Sequence, residues 1–266
     1  MKQNALNSIL VLLIPLLFLG CVTHDVQTTS GTDYISRYPS AENVKGDLDI
    51  DREVLEVANV EPTLRFPARI GLAKVYNGKM VNLVPEEVDR WNVAKEHLGD
   101  SFGDFIPVSV LVAESVYQNR NPRNPNARAS ELLRKVRLGA ARQHLDAVLI
   151  YEVFSETKGT SLATSVADWT IIGAYVIPSE EIETTGYASA LLIDVRSGYP
   201  YGTASASITE KDLSTTFSSY DKRRNMEDAN QVASALKLIP EVEKMFLELI
   251  KELGKNDNPS IELTDS

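Results

Sequence analysis

Apolar and polar residues alternate along the chain in segments whose lengths and periods distinguish strands, helices and export signals. The first apolar segment covers residues 9–19 (ILVLLIPLLFL) and runs directly into Gly20 and Cys21. It is shorter than the roughly 20 residues that a membrane-spanning helix needs. With Lys2 supplying a positive charge before it, this pattern is typical of a signal peptide. We therefore predict that residues 1–20 are removed.

Residues 21–63 lack a sustained apolar period and are rich in Thr, Ser, Asp and Glu. Such a composition is typical of chain that cannot build a core of its own. It predicts a flexible tether that begins at a lipidated Cys21. Within it, residues 33–39 and 51–60 have enough apolar positions to dock onto the following domain, the second as a short helix.

Residues 64–254 predict a single globular domain that opens with alternating strands and helices. The runs at 69–75, 106–112 and 147–154 are apolar enough for buried strands. Pro85 opens the first intervening helix, and Ser130 caps a second that extends to about His144. The apolar face of the first helix contains Val88, Trp91, Ala94, Leu98 and Phe102. This order predicts helices packed against a partly parallel sheet.

The pattern then changes to one typical of antiparallel strands. A strand is predicted at 169–178, and strands at 187–195 and 199–208 form a hairpin around Arg196, Ser197 and Gly198. Asn225 caps a helix that is broken or kinked at Pro240, resumes with helical periodicity and stops at Gly254, before a disordered tail at 255–266. The repeating apolar positions are Val242, Met245, Phe246, Leu249, Ile250 and Leu253.

Together these elements predict an α+β fold. It consists of a mixed sheet of about six strands with helices packed on it, in the order β-α-β-α-β, followed by an antiparallel hairpin region and a C-terminal helix. The 266 residues carry a net charge of −10 and 43% of them are hydrophobic. This composition supports one sizeable core and argues against a nucleic-acid partner, which would require a basic surface.

Cys21 is the single cysteine, so the sequence excludes an intramolecular disulfide, a cysteine-based zinc cluster and a redox pair of cysteines. Residues 18–21 resemble a bacterial lipobox, although Phe18 replaces the usual Leu or Val. The resemblance implies cleavage between Gly20 and Cys21 and attachment of diacylglycerol to the thiol, followed by N-acylation. More than one acyl chain makes such an anchor stable. Val22, rather than Asp, favours the outer membrane. An ordinary signal peptide or a monotopic anchor are the alternatives.

Other candidate chemistry is sparse. The three histidines, His24, His97 and His144, lack a helix-spaced metal-binding partner. His144 could act as a general base with Asp146 as its orienting acid, but a polar helix end is the simpler explanation of His144. A cation could bind at Glu180, Glu181 and Glu183, and an anionic glycan or lipid headgroup at a basic helix face; solvated surface is the simpler interpretation of both. That face contains Arg128, Arg134, Lys135 and Arg142. We predict no catalytic, cofactor or metal residues.

Two short patterns resemble known envelope families. Residues 191–198 (LLIDVRSG), with the strand at 147–151 before them, are similar to periplasmic α/β domains of the CsgG and TolB N-terminal type. The segment 169–178 and the strand end at 193–195, together with the lipobox, Asp33-Tyr34 near Tyr38-Pro39 and residues 69–72 (RIGL), resemble the rhombotarget lipoproteins. That family is named for its association with rhombosortase, an intramembrane protease, and the likeness implies a location rather than an activity. Residues 256–266 lack the tripartite tail of rhombosortase substrates, so cleavage by that enzyme is not predicted.

The favoured functional hypothesis is a non-enzymatic lipoprotein of the bacterial outer membrane, with its domain facing the periplasm. Its predicted partners are the lipid bilayer, through acylated Cys21, and an unknown envelope protein or glycan. One alternative is a subunit of an oligomeric CsgG-like export channel, in which residues 156–168 contribute to a membrane hairpin. The other alternative is a hydrolase with an unrecognised site.

Overall fold

The computed structural model describes residues 24–37, 48–116, 125–155, 186–208 and 225–256. These ranges contain seven strands and six helices, which we number in chain order. The elements are β1 (His24–Val26), α1 (Gly31–Ser36), α2 (Leu48–Ala58), β2 (Ala68–Tyr76), β3 (Lys79–Val81), α3 (Pro85–Leu98), β4 (Gly103–Pro107), α4 (Val110–Val116), α5 (Pro125–Arg142), β5 (Ala147–Ser155), β6 (Gly186–Asp194), β7 (Pro200–Ile208) and α6 (Asn225–Asn256).

The strands form one mixed sheet in the order β1-β7-β6-β5-β2-β3, with β4 also paired to β2. β2 runs parallel to β4 and β5, whereas the β5-β6, β6-β7 and β7-β1 pairs are antiparallel. The parallel pairs follow from the helical crossovers that the sequence predicts, and the antiparallel β6-β7 pair is the predicted hairpin. The predicted α+β fold class is confirmed.

Two apolar layers cover the two faces of the sheet. The first layer joins the sheet to α3 and α6 and is rich in aromatic rings. In it, Phe102 lies 4.5 Å from Phe105 and 5.0 Å from Phe246 between ring centroids. The second layer joins the opposite face to α4 and α5 through smaller aliphatic side chains. Because β2 and β5 are buried on both faces, their sequences are nearly continuous apolar runs.

The hairpin at 187–208 is confirmed, and its turn lies where the sequence predicts it. Asp194 Oδ1 accepts the backbone N–H groups of Arg196 and Ser197, each at 2.8 Å. Gly198 has φ of 80°, in the left-handed region that glycine adopts without strain. The turn therefore depends on both the aspartate and the glycine.

The predicted strand at 106–112 is wrong in its second half. β4 ends at Pro107, and α4 begins at Val110. Ser109 caps this helix, because its Oγ accepts the N–H of Val112 at 3.3 Å. A short apolar run does not distinguish a strand from a buried helix, and here a proline and a capping serine separate the two.

The predicted tether is wrong for residues 24–26, which form the edge strand β1. His24 pairs with Ala204 and Val26 with Gly202 of β7. The predicted short helix near 51–60 is confirmed as α2. Glu61 holds α1 beside it, because its Oε1 accepts the N–H and hydroxyl of Thr32 at 2.8 and 2.7 Å and the hydroxyl of Ser30 at 3.1 Å.

Both long helices extend further than predicted. α5 begins at Pro125, upstream of the predicted cap at Ser130, and α6 passes through Pro240 and Gly254 to Asn256. α6 is therefore not broken at Pro240, because the mostly buried apolar face that follows the proline packs on the sheet and offsets one lost backbone hydrogen bond. The predicted signal peptide, the predicted strand at 169–178 and most of the predicted tail lie outside the described residues.

Candidate functional site

A cleft lies at the end of the sheet where β2 and β5 begin and β6 ends. Parallel pairing of Ile70 with Ala147 brings Asp146, which precedes β5, beside Arg69. The backbone N–H of Arg69 donates to Asp146 Oδ2 at 2.9 Å, and the N–H of Asp146 donates to the Arg69 carbonyl at 2.9 Å. The loop that follows β6 and the segment before β2 complete the walls.

The cleft encloses a cavity of about 270 Å³. This volume is near the lower end of the range for small-molecule sites. Its lining is mostly polar and consists of Thr63, Leu64, Arg65, Pro67, Asp146, Asp194 and Arg196. The cavity therefore suits a small polar group better than an apolar one.

Asp194 forms the buried floor of the cleft, with 2% of its surface exposed. Its Oδ1 accepts the two turn N–H groups, and its Oδ2 accepts hydroxyl hydrogen bonds from Thr63 at 2.8 Å and Tyr201 at 3.2 Å. Burial by itself raises the pKa of Asp194, but the hydrogen bonds from Ser197, Thr63 and Arg196 outweigh it and lower the pKa below its ordinary value. Asp194 is therefore a fixed anion at neutral pH.

Tyr201 connects this floor to the segment before β2. Its hydroxyl oxygen accepts the backbone N–H groups of Thr63 at 2.9 Å and Leu64 at 2.7 Å while its proton points to Asp194. Burial, with the negative charge of Asp194, raises the pKa of Tyr201 to about 12. The hydroxyl therefore stays protonated and holds one wall of the cleft against β7.

Two guanidinium groups border the opening. Arg196 Nη2 donates to Asp146 Oδ1 at 3.2 Å, and the Arg196 side chain is 70% exposed. Arg65 Nη1 donates to the Leu64 carbonyl at 3.0 Å. Guanidinium groups bind carboxylates and phosphates through paired hydrogen bonds. The cleft can thus bind the anionic group of a polar ligand, with Asp146 as an acceptor for its donors.

The structure places the three histidines considered in the sequence analysis in separate contacts. His24 Nε2 lies 3.2 Å from Glu248 Oε2 on α6, and His97 Nδ1 lies 3.2 Å from Glu243 Oε1. His144, at φ 56°, ends the turn after α5, and its carbonyl accepts from Arg69. The base-and-acid pair considered for His144 and Asp146 is not formed, since Asp146 contacts Arg69 and Arg196 instead. Gly20 and Cys21, and the loop with Glu180, Glu181 and Glu183, lie outside the described residues.

The basic face of α5 is partly neutralised. Lys135 Nζ lies 3.1 Å from Glu114 Oε2 on α4 and 3.9 Å from Glu131 Oε1. Among the residues that the structure describes, no three His, Cys, Asp or Glu side chains are placed to hold a metal ion. None of the helices in those ranges combines the length and apolarity needed to cross a membrane.

Sequence reasoning missed the cleft itself. Asp194, Arg196 and Gly198 stand in a recognisable turn pattern, but Tyr201 and Thr63 look like ordinary strand and loop residues. Their partnership depends on the pairing of β6 with β7 and on the path of the chain before β2. The turn pattern alone is the signal that was available.

Comparison with models of protein families identifies the family of the chain. A model of the YafT bacterial lipoproteins matches residues 108–244, just over half of the chain. The chain belongs to the YafT family of bacterial lipoproteins. The matched range contains both aspartates of the cleft, Arg196 and Tyr201. YafT membership confirms the lipoprotein class predicted from the lipobox, while the resemblance to rhombotarget lipoproteins stays a prediction.

Solved structures offer weaker likenesses to this YafT-family protein. A PelC dodecamer from Paraburkholderia phytofirmans is 13% identical, with 70% of this chain and 91% of that chain covered and a TM-score of 0.30. The hypothetical protein CT253 from Chlamydia trachomatis is 15% identical, with coverages of 71% and 96% and a TM-score of 0.26. At these TM-scores neither likeness carries an argument. No curated protein matches the chain.

Proposed function

We propose that this YafT-family lipoprotein is a non-enzymatic binding module, anchored to the outer membrane through acylated Cys21. Its cleft binds an anionic group of another envelope component, a protein or a glycan, in assembly, secretion or surface processing. The observation that carries this proposal is the cavity bordered by Arg65 and Arg196 above the hydrogen-bonded carboxylate of Asp194.

The chemistry of the cleft supports binding over catalysis. A general acid or base works best when its pKa lies near the operating pH. The pKa of Asp194 is lowered and that of Tyr201 is raised, so both move away from neutrality. These groups are suited to holding a fixed pattern of charge and hydrogen bonds.

Site-specific photocrosslinking in intact cells tests the proposal. A photoreactive residue in place of Arg69, which is exposed beside Asp146, should give an adduct of defined mass. The same residue in place of Leu111, which is 83% exposed on α4, is the control site and should not give it.

Charge variants identify the cleft as the cause of that adduct. Arg65→Gln with Arg196→Gln should abolish the adduct at position 69, because both guanidinium groups at the opening are removed. Arg52→Gln with Arg134→Gln removes the same charge from α2 and α5 and should leave the adduct unchanged. The same adducts at 69 and 111, or an adduct that persists without Arg65 and Arg196, would contradict binding in the cleft.

A further inference from the structure

β1 connects the predicted anchor directly to the sheet. His24, its first residue, follows Cys21 by three positions, and an extended chain spans at most about 3.6 Å per residue. The linker between the proposed anchor and β1 therefore has a maximum length of about 11 Å. β1 is held by its pairing with β7, and the N–H of Gln27 donates to the Tyr201 carbonyl at 2.7 Å. An acyl anchor at Cys21 would therefore keep this edge of the sheet close to the bilayer.

α6 lies alongside the same edge. The His24 ring lies 3.2 Å from Glu248 Oε2 and 4.0 Å from Glu241 Oε2. At Gly202, which pairs with Val26, an added Cβ would lie 3.0 Å from Met245 Sδ, so the helix packs directly over this edge. One side of α6 therefore borders β1.

Lysines follow this side of α6. Lys237, Lys244 and Lys251 recur every seven residues, which places them on one side of the helix. Each lies three or four positions from Glu241 or Glu248, the residues that contact His24, and all three lysines are exposed. Lys244 also pairs with Glu241 at 2.9 Å. In a chain of net charge −10, this lysine row follows the side of α6 that borders β1.

We infer that the β1 edge and the lysine row lie against the anionic surface of the lipid bilayer. The inference rests on the proposed acylation of Cys21 and adds the orientation of the domain. The linker to the anchor is short, and lysines are attracted to anionic headgroups. Both effects hold the same edge of the sheet at the bilayer. β3 forms the opposite edge, five strand spacings or about 24 Å away, and faces the aqueous compartment.

Fluorescence quenching measures this orientation. The acylated protein is reconstituted in protein-free vesicles of phosphatidylethanolamine and phosphatidylglycerol that contain a headgroup-nitroxide lipid. Asp25→Cys on β1 and Lys79→Cys on β3 place one fluorophore each at exposed sites on opposite edges, because the thioether leaves Cys21 unreactive. Quenching should be several-fold stronger at position 25. Equal quenching, or stronger quenching at position 79, would overturn the orientation.

Charge variants test the lysine row separately. In the Asp25→Cys background, Lys244→Gln with Lys251→Gln should reduce quenching in these vesicles and have no effect in phosphatidylcholine vesicles. Lys79→Gln with Lys95→Gln removes equal charge elsewhere and should have no effect in either. If both pairs behave alike, the lysine row does not contact lipid, and that part of the inference is wrong.

Flotation of the protein with vesicles distinguishes failure of the proposed anchor from failure of the proposed orientation. A protein with intact Cys21 that fails to float with vesicles would contradict the anchor, and the orientation that depends on it. A protein that floats but shows equal quenching at both edges would leave the anchor in place and overturn the orientation alone.

Discussion

At the residue scale, Asp194 is the group on which the cleft depends. Four hydrogen bonds reach its two oxygens, from the turn after β6, from Thr63 and from Tyr201. Two of these donors belong to the turn, and the other two join the turn to the segment before β2. One carboxylate thus stabilises the hairpin and the cleft together.

Asp194→Asn should lower the free energy of unfolding by about 2 kcal/mol at pH 7, because charge-assisted hydrogen bonds are lost and one amide donor faces other donors. The folded-state pKa of Asp194 lies below its ordinary value of 3.8, so its contribution is complete above that value and is lost as pH falls through the folded pKa. The difference between variant and wild type should therefore shrink below about pH 4. Urea unfolding at several pH values measures it.

The exposed Asp100→Asn is the matched control and should change the free energy of unfolding by less than about 0.5 kcal/mol. A difference for Asp194→Asn that stays constant down to pH 2 would show that the carboxylate charge does not stabilise the fold.

At the element scale, a buried polar contact fixes α3 on the sheet. Lys74 Nζ of β2 lies 2.6 Å from Glu87 Oε1 of α3, and the Tyr151 hydroxyl of β5 donates to Glu87 Oε2 at 3.1 Å. Lys74 is 3% exposed and Glu87 is completely buried. Burial and the Glu87 charge raise the pKa of Tyr151 well above its usual value, which keeps the hydroxyl a donor.

Glu87→Gln should destabilise the domain by about 3 kcal/mol or more, because Lys74 is left as a buried charge without its counterion. The double variant Lys74→Met with Glu87→Leu should be less destabilised than this single variant, because it removes both charges. Urea unfolding of Lys74→Met, Glu87→Leu and their double variant forms a double-mutant cycle. Additive effects of the two positions would contradict a coupled pair.

Sequence patterns predicted the helices and strands whose periodicity is strong. They did not predict contacts that depend on how the strands and helices pair in the folded chain. β2, β5 and the β6-β7 hairpin are confirmed because buried strands and a turn signal define them locally. β1 was missed because three residues carry no period, and its stability comes from β7 and α6. Lys74 and Glu87 were missed because a charged residue in a sequence is assigned to the surface, and only the crossover from β2 to α3 brings them together.

At the scale of the whole molecule, family membership and the sequence converge on a lipid-anchored domain. Cys21→Ser should accumulate as an uncleaved, unacylated precursor, because serine offers no thiol for the thioether. Mass spectrometry and membrane fractionation measure both effects, and Thr23→Ser serves as a control that keeps the thiol. Normal maturation and membrane partition of Cys21→Ser would contradict the anchor.

The edge strand β1 also affects the order in which the sheet assembles. His24 contacts Glu248 across 224 positions of the sequence, so β1 precedes the partners that hold it by most of the chain length. Contacts of such long range delay folding. On the proposed route, in which the chain is exported from its N-terminus, β1 remains unpaired until β7 and α6 have followed. Modifying enzymes that act on Cys21 during this interval would meet a β1 segment that has not yet paired.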